Sequence, residues 1–369
     1  MFRLAHVIET FEAALLGRYG ASLLPGQRQA LAAIKHCRSA YSPRIEAQCE
    51  ACDESLFVPH SCGHRFCPHC QAHEGQRWLE RQQARLVPGE YFLLTFTLPA
   101  QFRLLARSHQ EGVYPLLMTC PWQTLHTFSR NDKQLQGTPG AVAVLHTHTR
   151  RLDYHPHVHV LMPAVAFDAR TRLWRTKKPG RHGKGKPGYL FNHKALAKVF
   201  RAKLLAALDA AGIPLPKGYP ARWVVDCKSV GAGGKALVYL GRYLYRGVIR
   251  EQDILACQDG QVTFRYRDSK TRRMETRTLP GAEFLWLLIQ HVLPKGLQRT
   301  RNFGFLHPNS KRLIALLRVV FRMTDMKPPE VVRPAIKCPC CGDAMKIVRT
   351  RTASQPSIHA SAVGQGVVV

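Results

Sequence analysis

Hydrophobic positions recur with two different periods along this chain, and the change of period marks its elements. Leu, Ala and Ile follow helical spacing through residues 1–38, and Pro25-Gly26 divides them, which predicts two short helices. Residues 71–86 are rich in Arg, Glu and Gln and predict a surface helix that Val87-Pro88-Gly89 ends. The pattern then becomes β-like. EYFLLTFTLPA (90–100), GAVAVLHTHTR (140–150) and HPHVHVLMPA (155–164) read as strands, and the short turn RLDY between the last two predicts an antiparallel hairpin. Residues 101–130 read as helical with an interruption near Pro115 and Pro121. Downstream come a helix at 192–211, a strand at 222–230, a Gly-rich break at 231–234 and a helix running into a strand at 235–250. Hairpin material at 261–279 and helices at 281–293 and 310–323 follow. Pro328 to Pro334 mark a linker, and the Ser/Ala/Gly-rich stretch from Thr350 onward predicts an unstructured tail. There is no internal repeat, and the fold class expected is α+β.

Charge narrows the function. Lys and Arg number 54 against 24 Asp and Glu, a net charge of +30 over 369 residues. A surface this basic attracts polyanions, of which nucleic acid is the usual one; a ribosome-associated or merely basic surface is the bland alternative. No apolar run approaches the length of a membrane span, and the amphipathic N-terminus has no signal-peptide cleavage pattern, so a soluble, intracellular (cytoplasmic) protein is expected. Residues 170–188, RTRLWRTKKPGRHGKGKPG, hold eight Lys or Arg and no acid. Arg175, Lys177, Lys178 and Arg181 there read either as a phosphate-tracking arm or as a solvated insertion.

Twelve cysteines in a chain this long are not needed as disulfide staples. Five fall in CEACDESLFVPHSCGHRFCPHC, residues 49–70. Cys49-x-x-Cys52 and Cys67-x-x-Cys70 each present two thiolates at the separation tetrahedral Zn²⁺ requires, and together they supply four ligands. Buried free thiols would not repeat that spacing. Cys62, His60, His64 and His69 lie in the same segment, as a replacement ligand or as ligands of a second ion. Cys338 and Cys341, in CPCCGDAM, look like half a zinc ribbon with no second cysteine pair after them. Cys37, Cys120, Cys227 and Cys257 stand alone and read as small core residues.

Two further patterns carry chemistry. On the strand after Pro156, His157 and His159 point to one face and Val158 to the other. Two imidazoles on one face of a strand can hold a divalent metal, although strands also carry such pairs by chance. Tyr239 and Tyr243 are four apart, so a helix places both phenols on one face; Arg242 and Arg246 form another such pair. Tyrosine pairs commonly pack against sheets. A phenol can also attack a phosphodiester, forming a phosphotyrosine link and releasing a 3′-OH. A divalent ion on the phosphate would stabilise the charge that develops.

These blocks together resemble the rolling-circle insertion-sequence transposases of the HUH, two-tyrosine class. The resemblance rests on Cys49, Cys52, Ser61-Cys62, Arg65, Cys67-Pro68 and Cys70, on LDYHPHVH (152–159), on YLGRYLYR (239–246) and on HVLPKGLQRTRNFGFL (291–306), and it covers nearly the whole chain. It implies an N-terminal helical zinc-binding module (1–88), an HUH-type antiparallel sheet flanked by helices (89–290), a helical extension (291–333) and a Cys-containing tail (334–369). It also implies a metal-dependent nuclease and strand transferase that acts on single-stranded DNA at mobile-element ends and on target DNA. His157 and His159 would then ligate Mg²⁺ or Mn²⁺, Tyr239 and Tyr243 would be the nucleophiles, and Zn²⁺ would be structural. The third ligand is open. Residues 235–250 contain no carboxylate or Gln, which leaves His146 or His148 as the best candidates and His155 and Asp153 as weaker ones. Two other readings stand beside this one: a replication-initiator or relaxase-like nickase, and a non-catalytic zinc-bearing DNA-binding protein.

Overall fold

The computed structural model describes residues 2–178, 188, 190–245, 247–268, 271–320 and 335–352. Helices α1 (Leu4–Tyr19) and α2 (Pro25–Lys35) come first. Pro25 begins α2 instead of merely separating two helices, since a first-turn residue needs no N–H donor. Strands β1 (Arg44–Gln48) and β2 (Ser55–Pro59) form a hairpin, followed by α3 (Ala72–Gln83), β3 (Tyr91–Thr97), α4 (Phe102–Ser108) and α5 (Gln110–Asn131). The long strands β4 (Thr138–His148) and β5 (Tyr154–Pro163) lead to β6 (Val165–Asp168), β7 (Leu173–Thr176), α6 (His193–Ala210), β8 (Val225–Ser229) and α7 (Gly234–Tyr245). Then come β9 (Ile254–Gln258), β10 (Gln261–Arg267), β11 (Met274–Pro280), α8 (Gly281–Ile289), β12 (Thr300–Gly304), α9 (Lys311–Val320) and β13 (Lys346–Thr352).

The central sheet runs β7-β6-β4-β5-β3-β8, with β12 also paired to β4, and every pairing is antiparallel. Strand alternation sorts its side chains between two layers. Phe92, Leu94, Phe96, Val158 and Val160 face α4, α5 and α6. Tyr91, Val142, Val144 and Leu161 face α3, α7 and α9. Because the β4–β5 histidines alternate with the first set, they share the face that α7 covers.

Two smaller sheets flank this one. Strands β9, β10 and β11 pack with α1, α2 and α8 around Phe11, Phe264 and Phe284. Strand β13 adds to the β1–β2 hairpin, with Arg44 opposite Thr352 and Ala47 opposite Ile347. Thr350 to Thr352 are therefore strand, contrary to the expectation of an unstructured tail from Thr350. The predicted linker at 328–334 and the tail beyond Thr352 lie outside the described residues.

The prolines of the 101–130 stretch do not interrupt it. The break falls at His109, and α5 runs through both Pro115 and Pro121. Its buried face, including Val113, Tyr114, Leu117, Met118 and Leu125, packs into the main core, and that burial offsets the lost backbone hydrogen bonds.

Candidate active site

Strand register assembles three histidines. His146 of β4 pairs with His157 of β5, and Val144 pairs with His159, so His146 is opposite one imidazole and diagonal to the other. One ring nitrogen from each of His146, His157 and His159 lies within 4.8 Å of the other two. The outer hydrogen bonds leave the inner nitrogens open. His157 Nδ1–H donates to the His155 carbonyl oxygen at 2.7 Å, which leaves the Nε2 lone pair. His159 Nδ1 lies 2.9 Å from the Thr95 hydroxyl. Neither ring nitrogen of buried His146 has a hydrogen-bond partner among the described residues. A buried polar group without a partner is costly, and a cation shared by the three rings would satisfy one of the two His146 nitrogens. The donor set therefore fits a divalent metal.

Burial also keeps these rings neutral, the form in which imidazole binds metal. Desolvation pushes His157 down to about 4 and His159 to about 3, and holds His146 well below its ordinary value. The sign of the pH dependence follows. The unfolded chain protonates these groups near pH ~6.5, while the folded chain resists until far lower, so between those limits the unfolded state binds more protons. Stability is complete above the unfolded value and is lost as pH falls towards the folded values. Without added Mg²⁺ or Mn²⁺, the urea midpoint is expected to drop on acidification from about pH 7 to about pH 5, more shallowly in His157→Gln than in the parent. Equal slopes in the two proteins would contradict this account.

The tyrosine helix lies over the cluster. Ala236, Leu237, Leu240 and Leu244 are buried, at helical spacing, against the sheet and α3. Gly241 faces α3, where a Cβ would meet the Trp78 ring at 3.4 Å, an ordinary van der Waals contact. Tyr239 and Tyr243 flank this buried stripe with ring centroids 5.2 Å apart. Tyr243 stacks on His146 at 4.2 Å and against His148 at 5.3 Å, and Tyr239 meets His159 edge-on at 6.0 Å. Burial first, and then the neighbouring Tyr243 hydroxyl, raises the Tyr239 phenol above its ordinary value.

The other third-ligand candidates lie outside this cluster. His148 faces His291 at 5.2 Å, His155 Nδ1 meets Arg103 at 2.9 Å, and Asp153 pairs with Arg277 at 2.9 Å. Two residues near the site were not singled out from the sequence. His291 lies beside His148 and reaches the Leu152 carbonyl oxygen at 3.0 Å. Arg299 donates to the carbonyl oxygens of Leu145 and Leu244, each at 3.2 Å, and so ties the end of α7 to β4 beside His146. Both fall in the 291–306 block, which was the available signal.

The basic candidates divide. Arg242 is exposed and lines a cleft of about 320 Å³ with His148, Arg150, Tyr243 and Arg267. Arg175 pairs with Asp168 at 3.1 Å, while Lys177 pairs with Asp132 and lies over the Phe191 ring. Those two hold the β6–β7 region together, so neither is the uncommitted arm residue expected from the basic run. Lys178 is exposed, with its backbone N–H on Gln134. Arg181 and Arg246 lie outside the described residues.

The cysteines regroup. The two knuckles do not converge as expected. Cys67 and Cys70 gather with Cys62 and Cys37, and Cys49 and Cys52 gather with Cys338 and Cys341. Sulfur separations are 3.5–3.6 Å in the first group and 3.4–3.7 Å in the second. Four thiolates at ~2.3 Å from Zn²⁺ would stand ~3.8 Å apart, so both sets suggest structural zinc. Cys37 is thus a cluster member and not a lone core residue, and the C-terminal half-ribbon finds its other half near the N-terminus. The segment's histidines take other partners: His69 meets Glu251 at 3.0 Å, and His64 accepts from the Phe66 N–H at 3.2 Å. His60 Nδ1 lies 2.6 Å from the Ser61 carbonyl oxygen.

Two family models match the chain: "Transposase zinc-binding domain" over residues 7–98 and "Putative transposase" over residues 140–313. "Putative transposase y4qJ" of Sinorhizobium fredii is 31% identical over 341 residues, which is 85% of this chain and 83% of the relative. "Transposase for insertion sequence element IS801" of Pseudomonas savastanoi pv. phaseolicola is 25% identical over 266 residues, 69% of this chain and 64% of the relative. No solved structure matches. With the two family models spanning the N-terminal cysteines and the histidine and tyrosine elements, and a relative 31% identical over 85% of the chain, the chain belongs to the IS91/IS801 family of Y2 transposases with an N-terminal zinc-binding domain.

Proposed function

We propose that this transposase nicks and rejoins single-stranded DNA at the ends of its insertion sequence through a covalent phosphotyrosine link, in rolling-circle transposition. The observation that carries the reading is Tyr243 stacked on His146 within a cluster of three inward-facing imidazoles. His146, His157 and His159 would hold Mg²⁺ or Mn²⁺, which supplies charge stabilisation at the scissile phosphate when bound.

The chain's own residues do the rest. One tyrosine oxygen loses its proton and bonds to phosphorus; the bond from phosphorus to the 3′ oxygen breaks, and that oxygen takes a proton and leaves as a free hydroxyl. Thr95 and the His155 carbonyl hold the His159 and His157 rings in place. Arg299 holds the end of α7 against β4, so the phenols keep their distance from the imidazoles. A hydroxyl end on a second strand then attacks the phosphotyrosine. The bond energy is conserved, and rejoining needs no external source. With two tyrosines, one can hold an end while the other cleaves.

The test is a denaturing gel of wild type and His157→Ala with labelled single-stranded element ends. A slow-migrating adduct is expected from wild type when Mg²⁺ or Mn²⁺ is present, reduced by about two orders of magnitude or more in His157→Ala. Tight binding to the ends with no adduct at any metal concentration would sink the reading in favour of a non-catalytic DNA-binding protein.

A further inference from the structure

A second, larger cleft of about 900 Å³ opens beyond the end of α7. Three parts of the chain wall it: Arg65 and Phe66 from the cysteine segment, Arg81 and Arg85 from α3 and its end, and Arg301 with Phe303 from β12. Arg65 also ties the cysteine segment to the stretch that leads into β12 by donating to the carbonyl oxygens of Leu293 and Leu297, each at 2.8 Å.

The electrostatics of the cleft are one-sided. Among the described residues, no Asp or Glu lines it. The Arg81, Arg85 and Arg301 side chains have no hydrogen-bond or ion-pair partner among the described residues. Burial first, and then the like charge of Arg81, disfavours the Arg85 cation, a cost that an anion bound beside it would relieve. Half-buried Phe66 lines the cleft with these cations and supplies ring surface, the combination of charge and π-face that single-stranded nucleic acid prefers, whereas the Phe303 ring is stacked on Trp122 with centroids 5.1 Å apart. The inner end of the cleft is formed by Leu244, the neighbour of Tyr243, and by His291, which lies 5.2 Å from His148. A volume of this order falls in the ~300–1,000 Å³ range of small-ligand sites, enough for a nucleotide or two and far short of a duplex turn.

We propose that this cleft holds the single-stranded DNA segment flanking the phosphodiester that the tyrosines attack, with Arg81, Arg85 and Arg301 on its phosphates. The proposal rests on the strand-transfer reading above. It gives the zinc-binding region a share in holding the substrate, because Arg65 and Phe66 stand beside Cys67.

Binding is best measured by fluorescence anisotropy in a Tyr239→Phe/Tyr243→Phe background, where cleavage cannot intervene. The probes are a single-stranded element end and the duplex of the same sequence. Arg81→Gln/Arg85→Gln is expected to weaken single-strand binding roughly tenfold and to lower the salt slope by about 0.7 per arginine removed. Arg301→Gln, tested separately, should lower the slope by one such step. Melting in the absence of DNA should not fall in Arg81→Gln/Arg85→Gln, since two crowded cations have been removed; a merely structural role predicts a lower melting temperature. Unchanged affinity and slope in both variants would overturn the cleft assignment, as would an equal loss on the duplex probe. The two readings fail separately. If the parent forms the covalent adduct and the cleft variants bind like the parent, the cleft alone is wrong. If the parent chain with intact tyrosines neither binds single strands nor forms the adduct, the strand-transfer reading falls, and the cleft proposal with it.

Discussion

Tyr243→Phe is expected to lose nearly all covalent adduct formation on the first strand, Tyr239→Phe to lose less, and the double variant to form none. Removing a nucleophilic oxygen takes away the bond-forming atom itself, so the double loss should reach the detection limit of the gel, roughly 10⁴-fold or more. The ranking of the single variants comes from geometry. Tyr243 lies on His146 and His148 and lines the cleft that also holds Arg150 and Arg242, so a phosphate can reach it. Tyr239 is set further back against His159, and burial disfavours its phenolate. Both side chains end in an aromatic ring that Phe preserves, so packing should survive and melting should shift little. Equal adduct from Tyr243→Phe and wild type on the first strand would reverse the assigned order. Adduct from the double variant would remove tyrosine chemistry from the account.

Purified protein is expected to carry two zinc ions, and Cys49→Ser and Cys67→Ser should each leave one. If the two knuckles shared one ion, either substitution would leave none. Elemental analysis alongside native mass spectrometry distinguishes the outcomes. The costs should also differ. Cys67 is fully buried in the core that contains α1, α2 and α8, so its cluster is tied to the packing of the whole N-terminal half. Structural zinc in small modules is worth roughly 10 kcal/mol or more of apparent binding energy, which exceeds the stability of most domains, so Cys67→Ser should lose cooperative unfolding. The Cys49 group has a much smaller hydrophobic surround, with Ala47 and Met345 as its other buried members. Cys49→Ser or Cys338→Ser should release residues 335–352 to protease while the central sheet stays folded. A protease-resistant C-terminal segment in Cys338→Ser would refute the dependence of residues 335–352 on the second cysteine group.

Much of this was legible before any coordinates. Period-two alternation found β3, β4 and β5, and the short RLDY turn found their hairpin, because one-faced burial imposes the pattern directly. His157 and His159 were legible as one face of one strand, and the tyrosine pair as one face of one helix. What the chain did not declare was register. His146 joins the cluster and His148 does not because a bulge falls between their pairings with β5, and no local pattern encodes which residue lies across from which. Cysteine spacing failed for a related reason. C-x-x-C tells that two thiolates form half a site, but the partner half is a matter of tertiary closure, and here it is 286 positions away for Cys52 and Cys338. The prolines in α5 misled because local propensity is a weak term beside the burial of a whole helix face.

The pairing of Cys49 and Cys52 with Cys338 and Cys341 has a consequence for synthesis. Every histidine and tyrosine of the candidate active site is encoded before residue 244, and β12 and Arg299 follow by residue 304, so a chain arrested soon afterwards would hold all its reactive groups. It would still lack half of one metal site, and β1 would remain an open strand edge. Such an edge is a template for pairing with other chains. A frameshifted or prematurely terminated copy is therefore marked for aggregation or proteolysis at its N-terminal end by an absence at its C-terminal end, and only a chain read through β13 to Thr352 closes on itself.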